Sequence, residues 1–142
     1  MTTILLVEDD PVNARVFEKV LKKRGGFHVI HSQDVEEILT VSQGGQIDAI
    51  LLDVSLSQST YKGEAVDGIR IAQLLKGDPQ TQGIPIILVT AHAMRGDREA
   101  FLTQSGADGY IAKPVVDHQV MVDQVLALLP EGISSNSLAS AP

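Results

Sequence analysis

The chain contains no cysteine, which excludes disulfides, thiol catalysis and Cys-ligated zinc or iron–sulfur sites. Long apolar runs are missing too. The longest, such as residues 4–7 and 86–89, are only a few residues, whereas a membrane helix needs roughly 20, so no transmembrane segment is expected. The start, MTTILLVEDD, lacks a basic end and reaches its first acid at Glu8, so no secretory leader is expected either. Positive charge is scarce: 11 Lys+Arg stand against 18 Asp+Glu, a net charge of −7. Affinity for nucleic acid comes mainly from cationic side chains meeting phosphates, so that balance disfavours a direct nucleic-acid partner. What is present suits one folded domain: 142 residues, 44% hydrophobic and 20% charged, enough to bury one sizeable core. An acidic, soluble, cytoplasmic domain is expected.

Two kinds of segment alternate along the chain. Short runs rich in Ile, Leu and Val lie at residues 3–7, 49–52 and 84–89, with weaker ones at 27–31 and 109–112. Such runs, bounded by turn residues, are typical of strands covered on both faces. Between them lie stretches of helical period: Val12, Val16, Phe17, Val20 and Leu21; Val35, Ile38 and Leu39; Ile71, Leu74 and Leu75; Val122, Val125, Leu126 and Leu129. Residues 93–104 are less clearly amphipathic but are also expected to be helical. Asp10 before Pro11 is a helix-start signal, and Asp34 with Glu37 resembles a capping box. Gly25-Gly26, Gly44-Gly45 and Gly106 stand where helices should stop. Five βα units predict a parallel sheet with helices on both faces. Five strands favour the flavodoxin-like order 2-1-3-4-5 over a six-stranded dinucleotide fold, although periodicity alone leaves the order open. A single domain of this pattern is expected over residues 1–129, with 130–142, rich in Ser and Ala, a flexible tail or the start of a linker.

In an open α/β sheet, ligands bind beyond the carboxyl ends of the strands. The residues standing there are Glu8, Asp9 and Asp10 after the first run, Asp53 after the third, Thr90 after the fourth and Lys113 after the fifth. If strands one and three are neighbours, Glu8, Asp9 and Asp53 converge. Two carboxylates about 4 Å apart repel by roughly 4 kcal/mol at an effective dielectric near 20, so three of them call for a cation. Oxygen ligands and few protein donors suit Mg²⁺, which keeps waters and recruits phosphate. A carboxylate nucleophile, a metal, a lysine and a hydroxyl are together the parts needed to accept a phosphoryl group. Asp10 is better read as the cap before Pro11. Taken singly, Glu8 and Asp9 are ordinary solvated acids, Thr90 a strand-end hydroxyl, Lys113 a surface cation and Tyr110 a half-buried strand residue; their combination reverses that.

The segments ILLVEDD (4–10), LLD (51–53), VTA (89–91) and GYIAKP (109–114) resemble the response-regulator receiver domain of bacterial two-component signalling, of the chemotaxis single-domain type, and the likeness runs from Thr3 to about Leu129. The resemblance implies the 2-1-3-4-5 sheet and Asp53 as phosphoacceptor. It also implies Mg²⁺ held by Asp9 and Asp53, by Glu8 through water, and by the Ser55 main-chain carbonyl. Thr90 and Tyr110 would be the switch residues, Lys113 would pair with the phosphoryl group, and the Lys113-Pro114 bond would be cis. The implied partners are a histidine kinase or phosphotransfer protein and a downstream protein target, with no membrane contact. Such a domain is a phosphorylated switch, catalysing only its own Mg²⁺-dependent phosphorylation and dephosphorylation. The alternative is a degenerate receiver acting as an unphosphorylated scaffold. An aspartate-nucleophile phosphatase would need a second acid where Ser55 stands, and three acids after the first strand would repel a flavin phosphate. His92 stands where the family tunes dephosphorylation, or is an ordinary loop histidine; the other histidines are not expected to be ligands. One departure stands out: the stretch 57–66 is longer than the family's loop and lacks its proline, and is expected to influence partner choice or phosphoryl lifetime.

Overall fold

The computed structural model describes residues 2–56, 59–91, 97–113, 115 and 117–129. Their elements run in the order β1 (Thr3–Val7), α1 (Pro11–Gly25), β2 (His28–His31), α2 (Val35–Gln43), β3 (Ala49–Asp53), β4 (Thr60–Tyr61), β5 (Glu64–Ala65), α3 (Gly68–Lys76), β6 (Ile86–Thr90), α4 (Asp97–Ser105), β7 (Gly109–Ala112) and α5 (His118–Leu128). Strands β2-β1-β3-β6-β7 form one parallel five-stranded sheet in that order, the flavodoxin-like arrangement expected.

The sheet has two buried faces because its strands are apolar at successive positions, and alternate side chains point to opposite sides. Ile4, Leu6, Leu51, Ile87, Val89 and Ile111 pack with Phe17 and Leu21 of α1 and with Met121, Val122 and Val125 of α5. Leu5, Val7, Ile50, Leu52, Ile86 and Leu88 pack with Val35 and Ile38 of α2 and with Ile71 and Leu75 of α3. In α1 the buried arc is Ala14, Phe17, Val20 and Leu21. Val12 and Val16, expected on the same stripe, fall off that arc at 3.6 residues per turn and are exposed, as is Leu126 at the margin of α5.

Caps and stops follow the sequence signals, with instructive exceptions. Asp10 accepts from Val12 N at 2.9 Å, Asp67 from Arg70 N at 2.9 Å and Asp117 from Gln119 N at 3.0 Å. At the end of α1, Gly26 adopts the left-handed conformation that glycine allows (φ 68°). Asp34 sits at the N-cap of α2 but makes no side-chain cap bond. The expected Asp34–Glu37 pair is replaced by Ser32 Oγ, which donates to Glu37 and accepts from Asp34 N at 3.2 Å.

Boundaries shift for physical reasons. Phe27 N donates to Leu21 O and finishes the helix, so β2 begins at His28. Ile84 N is used in a turn to Thr81 O and Pro85 has no N–H, so the fourth parallel strand begins at Ile86. The helix expected over 93–104 is described from Asp97 to Ser105. Residues 93–96, His92, Pro114 with its peptide bond, and 130–142 lie outside the described residues. Within the long stretch after β3, the structure places a small antiparallel hairpin, β4 with β5. Lys62 (φ 52°) and Gly63 (φ 84°) turn it, the two consecutive positive angles of a primed hairpin turn. Ser59 Oγ donates to Gln33 O at 2.9 Å and Val66 N to Ser59 O at 3.0 Å, fastening the hairpin beside α2.

Candidate functional site

Strand order and register gather the strand-end residues. Val7 pairs with Leu52, Asp53 with Val89 and Thr90 with Ala112, so the last residues of β3 and β6 and those just beyond β1 and β7 share one edge of the sheet. Glu8, Asp9 and Asp53 each offer a carboxylate oxygen within 4.8 Å of the others. Lys113, whose N–H donates to Thr90 O at 2.8 Å, sends Nζ to Glu8 Oε1 at 3.0 Å and to Asp53 Oδ2 at 3.1 Å. Ser55 N donates to Asp53 Oδ1 at 3.1 Å, and Asp10 N to Glu8 Oε2 at 3.2 Å. Asp10 is thus a helix cap, as expected, and borders the cluster only through its main chain.

Burial makes these charges consequential. Glu8 is 1% exposed, Asp53 4% and Thr90 0%. Burial, reinforced by the Asp53 carboxylate, pushes the Glu8 carboxyl up to about 7 even though Lys113 pulls it down. Burial works against the Lys113 ammonium as well, but its bonds to Glu8 and Asp53 prevail and raise it above its ordinary value. Three clustered carboxylates, two of them bonded to one ammonium, offer oxygen donors that suit a hard divalent cation keeping part of its water shell.

Two further residues shape the site without having been singled out as its parts. Gly68 opens α3 directly against the end of β3. A Cβ there would strike the Asp53 carbonyl and lie 2.8 Å from Val54 Cα, while Gly68 N donates to Val54 O at 2.9 Å. His31, at the end of β2, bonds the Glu8 main-chain carbonyl through Nε2 at 2.7 Å. The pair Asp67-Gly68 signalled a helix start, but neither main-chain contact has a local sequence signal. Tyr110 is half-buried on β7, its ring 6.4 Å from that of Phe101 on α4 and inclined by 27°. His28 is exposed and His118 opens α5; neither belongs to the acidic cluster.

A parallel five-stranded sheet with buried acids and a lysine at its carboxyl edge defines an α/β domain with an acidic cluster at the strand ends. The family model for the response regulator receiver domain matches residues 4–125. The chain is 32% identical over 113 residues to the polar-differentiation response regulator DivK of Brucella anthropi, covering 80% of this chain and 85% of that protein. Among solved structures, it resembles the receiver domain of the sensor histidine kinase PA1611 from Pseudomonas aeruginosa PAO1, which has a magnesium ion coordinated in its active-site cleft (31% identity, TM-score 0.74, covering 89% of this chain and 96% of that one). It also resembles the signal receiver domain of a signal transduction histidine kinase from Syntrophus aciditrophicus (28% identity, TM-score 0.76, covering 94% and 93%). This chain belongs to the response-regulator receiver domain family. It is accordingly a two-component phosphoacceptor switch rather than a turnover enzyme, and its acidic cluster is consistent with a phosphoacceptor site. Among the described residues, no helix is long and apolar enough to cross a membrane.

Proposed function

We propose that Asp53 is the phosphoacceptor, taking a phosphoryl group from the phosphohistidine of a histidine kinase or phosphotransfer protein. A carboxylate oxygen of Asp53 forms the P–O bond as the P–N bond to the donor imidazole breaks, and the ring leaves with the electron pair. The observation that carries this assignment is the triangle of Lys113 Nζ with Glu8 and Asp53. It presents one buried acid at the strand end beside a fixed ammonium. Lys113 stabilises charge on the phosphoryl oxygens, and the buried Thr90 hydroxyl supplies a donor to the same group. Asp9 and Asp53 would hold Mg²⁺ directly, with Glu8 through water and the Ser55 main-chain carbonyl as a further ligand. Bound there, Mg²⁺ offsets negative charge on the transferring group.

Charge added at Asp53 draws Thr90 toward it and favours a second arrangement of Tyr110, whose ring already packs on Phe101. The signal then reaches a downstream protein through the α4 side of the sheet. The domain is proposed to span residues 1–129, since Leu129 is still buried in the core, with 130–142 a tail or linker.

Intact-mass spectrometry after incubation with acetyl phosphate, with and without Mg²⁺, tests the assignment. One Mg²⁺-dependent phosphoryl adduct is expected in wild type and none in Asp53→Asn. A folded wild-type protein that takes up no phosphoryl group would favour the scaffold alternative, and an adduct persisting in Asp53→Asn would move the acceptor elsewhere.

A further inference from the structure

The ladder between β1 and β2 stops one rung short of the acidic loop. His28 N donates to Thr2 O at 2.9 Å and Ser32 N to Leu6 O at 3.1 Å. Donors on a parallel neighbour recur every second residue, so the next rung would run from Asp34 N to Glu8 O. Asp34 N turns instead to Ser32 Oγ at 3.2 Å, because the chain is already entering the N-cap of α2. The Glu8 carbonyl is met by a side chain in place of that rung: His31 Nε2 lies 2.7 Å from it. A carbonyl can only accept, so Nε2 carries the proton.

We propose that His31 is a positioning residue of the phosphoacceptor site, holding the Glu8–Asp9 peptide plane from the edge of the sheet. The carbonyl it grips and the amide of Asp9 belong to one planar unit. That plane sets the direction in which both side chains leave the main chain, Glu8 toward Lys113 and Asp9 into the carboxylate cluster. Without the imidazole, the junction between β1 and α1 keeps its Asp10 cap but loses its tie to β2. The Glu8–Asp9 plane can then rock, and the two acids no longer hold a fixed separation from Asp53. This role rests on the metal site proposed above and adds to it a residue that touches neither metal nor phosphate.

The test uses the full chain with His31→Leu, which has no donor, and His31→Gln, whose amide N–H₂ has similar reach. Mg²⁺ dissociation constants come from titration calorimetry, and exchange rates of the Asp9 and Asp10 amides are measured in metal-free protein. Outer-shell partners of metal ligands are worth about 10–100-fold in affinity. His31→Leu is expected to weaken Mg²⁺ binding about tenfold, at the lower end of that range. It should also speed exchange at Asp9 and Asp10 while leaving the β3 amides protected. His31→Gln should stay close to wild type in both readouts. Wild-type affinity and exchange in His31→Leu would overturn the proposal, as would equal losses in both variants. Asp9→Asn serves as the control for the site itself: if wild type and Asp9→Asn alike take up no Mg²⁺, the metal site falls and the role of His31 with it. If wild type binds and Asp9→Asn does not, the site stands and the His31 variants decide this proposal alone.

Discussion

Glu8 is almost wholly enclosed, and its carboxyl is raised to about 7 by burial and by Asp53. A raised carboxyl means that the native state binds this proton more tightly than the unfolded chain does. Its contribution to stability is therefore present at low pH, declines as pH rises from about 4.5 toward 7, and levels off above that. Urea midpoints of wild type and Glu8→Gln, measured in metal-free buffer, should diverge across that window, with the variant relatively more stable at the upper end. At the proposed metal site Mg²⁺ would need the ionised carboxylate, so binding there should weaken below pH 7 and release a proton, read from calorimetry in buffers of different ionisation enthalpy. Lys113 is shifted upward, so its contribution is present below pH 10.5 and is lost only as pH rises through its higher folded value. Glu8, Asp9, Asp53, Thr90 and Lys113 were all legible in the sequence because each follows an apolar run. The buried state of Glu8 was not, since it depends on β2, β3 and Lys113 closing around it.

At the scale of elements, β3 and α3 meet in close backbone contact beside the site. Gly68→Ala would drive a methyl into the Asp53 carbonyl and the Val54 backbone. Overpacking of this kind costs about 1–3 kcal/mol. A lowered urea midpoint is expected, together with slower phosphorylation by acetyl phosphate, because the shifted atoms belong to Asp53 itself. The hairpin β4–β5 lies in the connection between β3 and α3 and leans on Gln33 through Ser59. Replacing 57–66 with a short loop is expected to change the decay rate of the phosphoryl group or the preference between phosphodonors; time courses unchanged in both respects would remove any role for the insertion. The sequence indicated extra length here and a helix restarting at Asp67-Gly68, yet not a hairpin. A two-residue strand has too little pattern to read, and the turn is visible only from the positive angles at Lys62 and Gly63.

For the whole molecule, the central strand β3 joins both halves of the core, with Leu51 on one face and Ile50 and Leu52 on the other. Leu51 is 0% exposed, and deleting such a side chain costs about 2–5 kcal/mol. Leu51→Ala is expected to lower the urea midpoint by that equivalent while the mutant, where folded, still accepts a phosphoryl group, because Leu51 packs in the core with α1 and α5 and brings no polar group to the site. A lost adduct with an intact fold would show that packing under β3, and not only its terminus, governs the site.

The sequence by itself determined the types of element, their alternation, and the placement of acids, hydroxyl and lysine just past the apolar runs. These are local properties, written in periodicity, caps and turn residues. It also marked Asp67-Gly68 as a helix start, without the reason that residue 68 must be glycine. The tertiary structure decided which strands are neighbours, through registers such as Val7 with Leu52 and Asp53 with Val89. Only that pairing brings carboxylates 44 and 45 residues apart in the chain into one cluster. It likewise decided the contacts of His31 with Glu8 and of Gly68 with Asp53, because a main-chain carbonyl carries no side-chain signature. Its partner is set by where the ladder ends, which no single segment specifies.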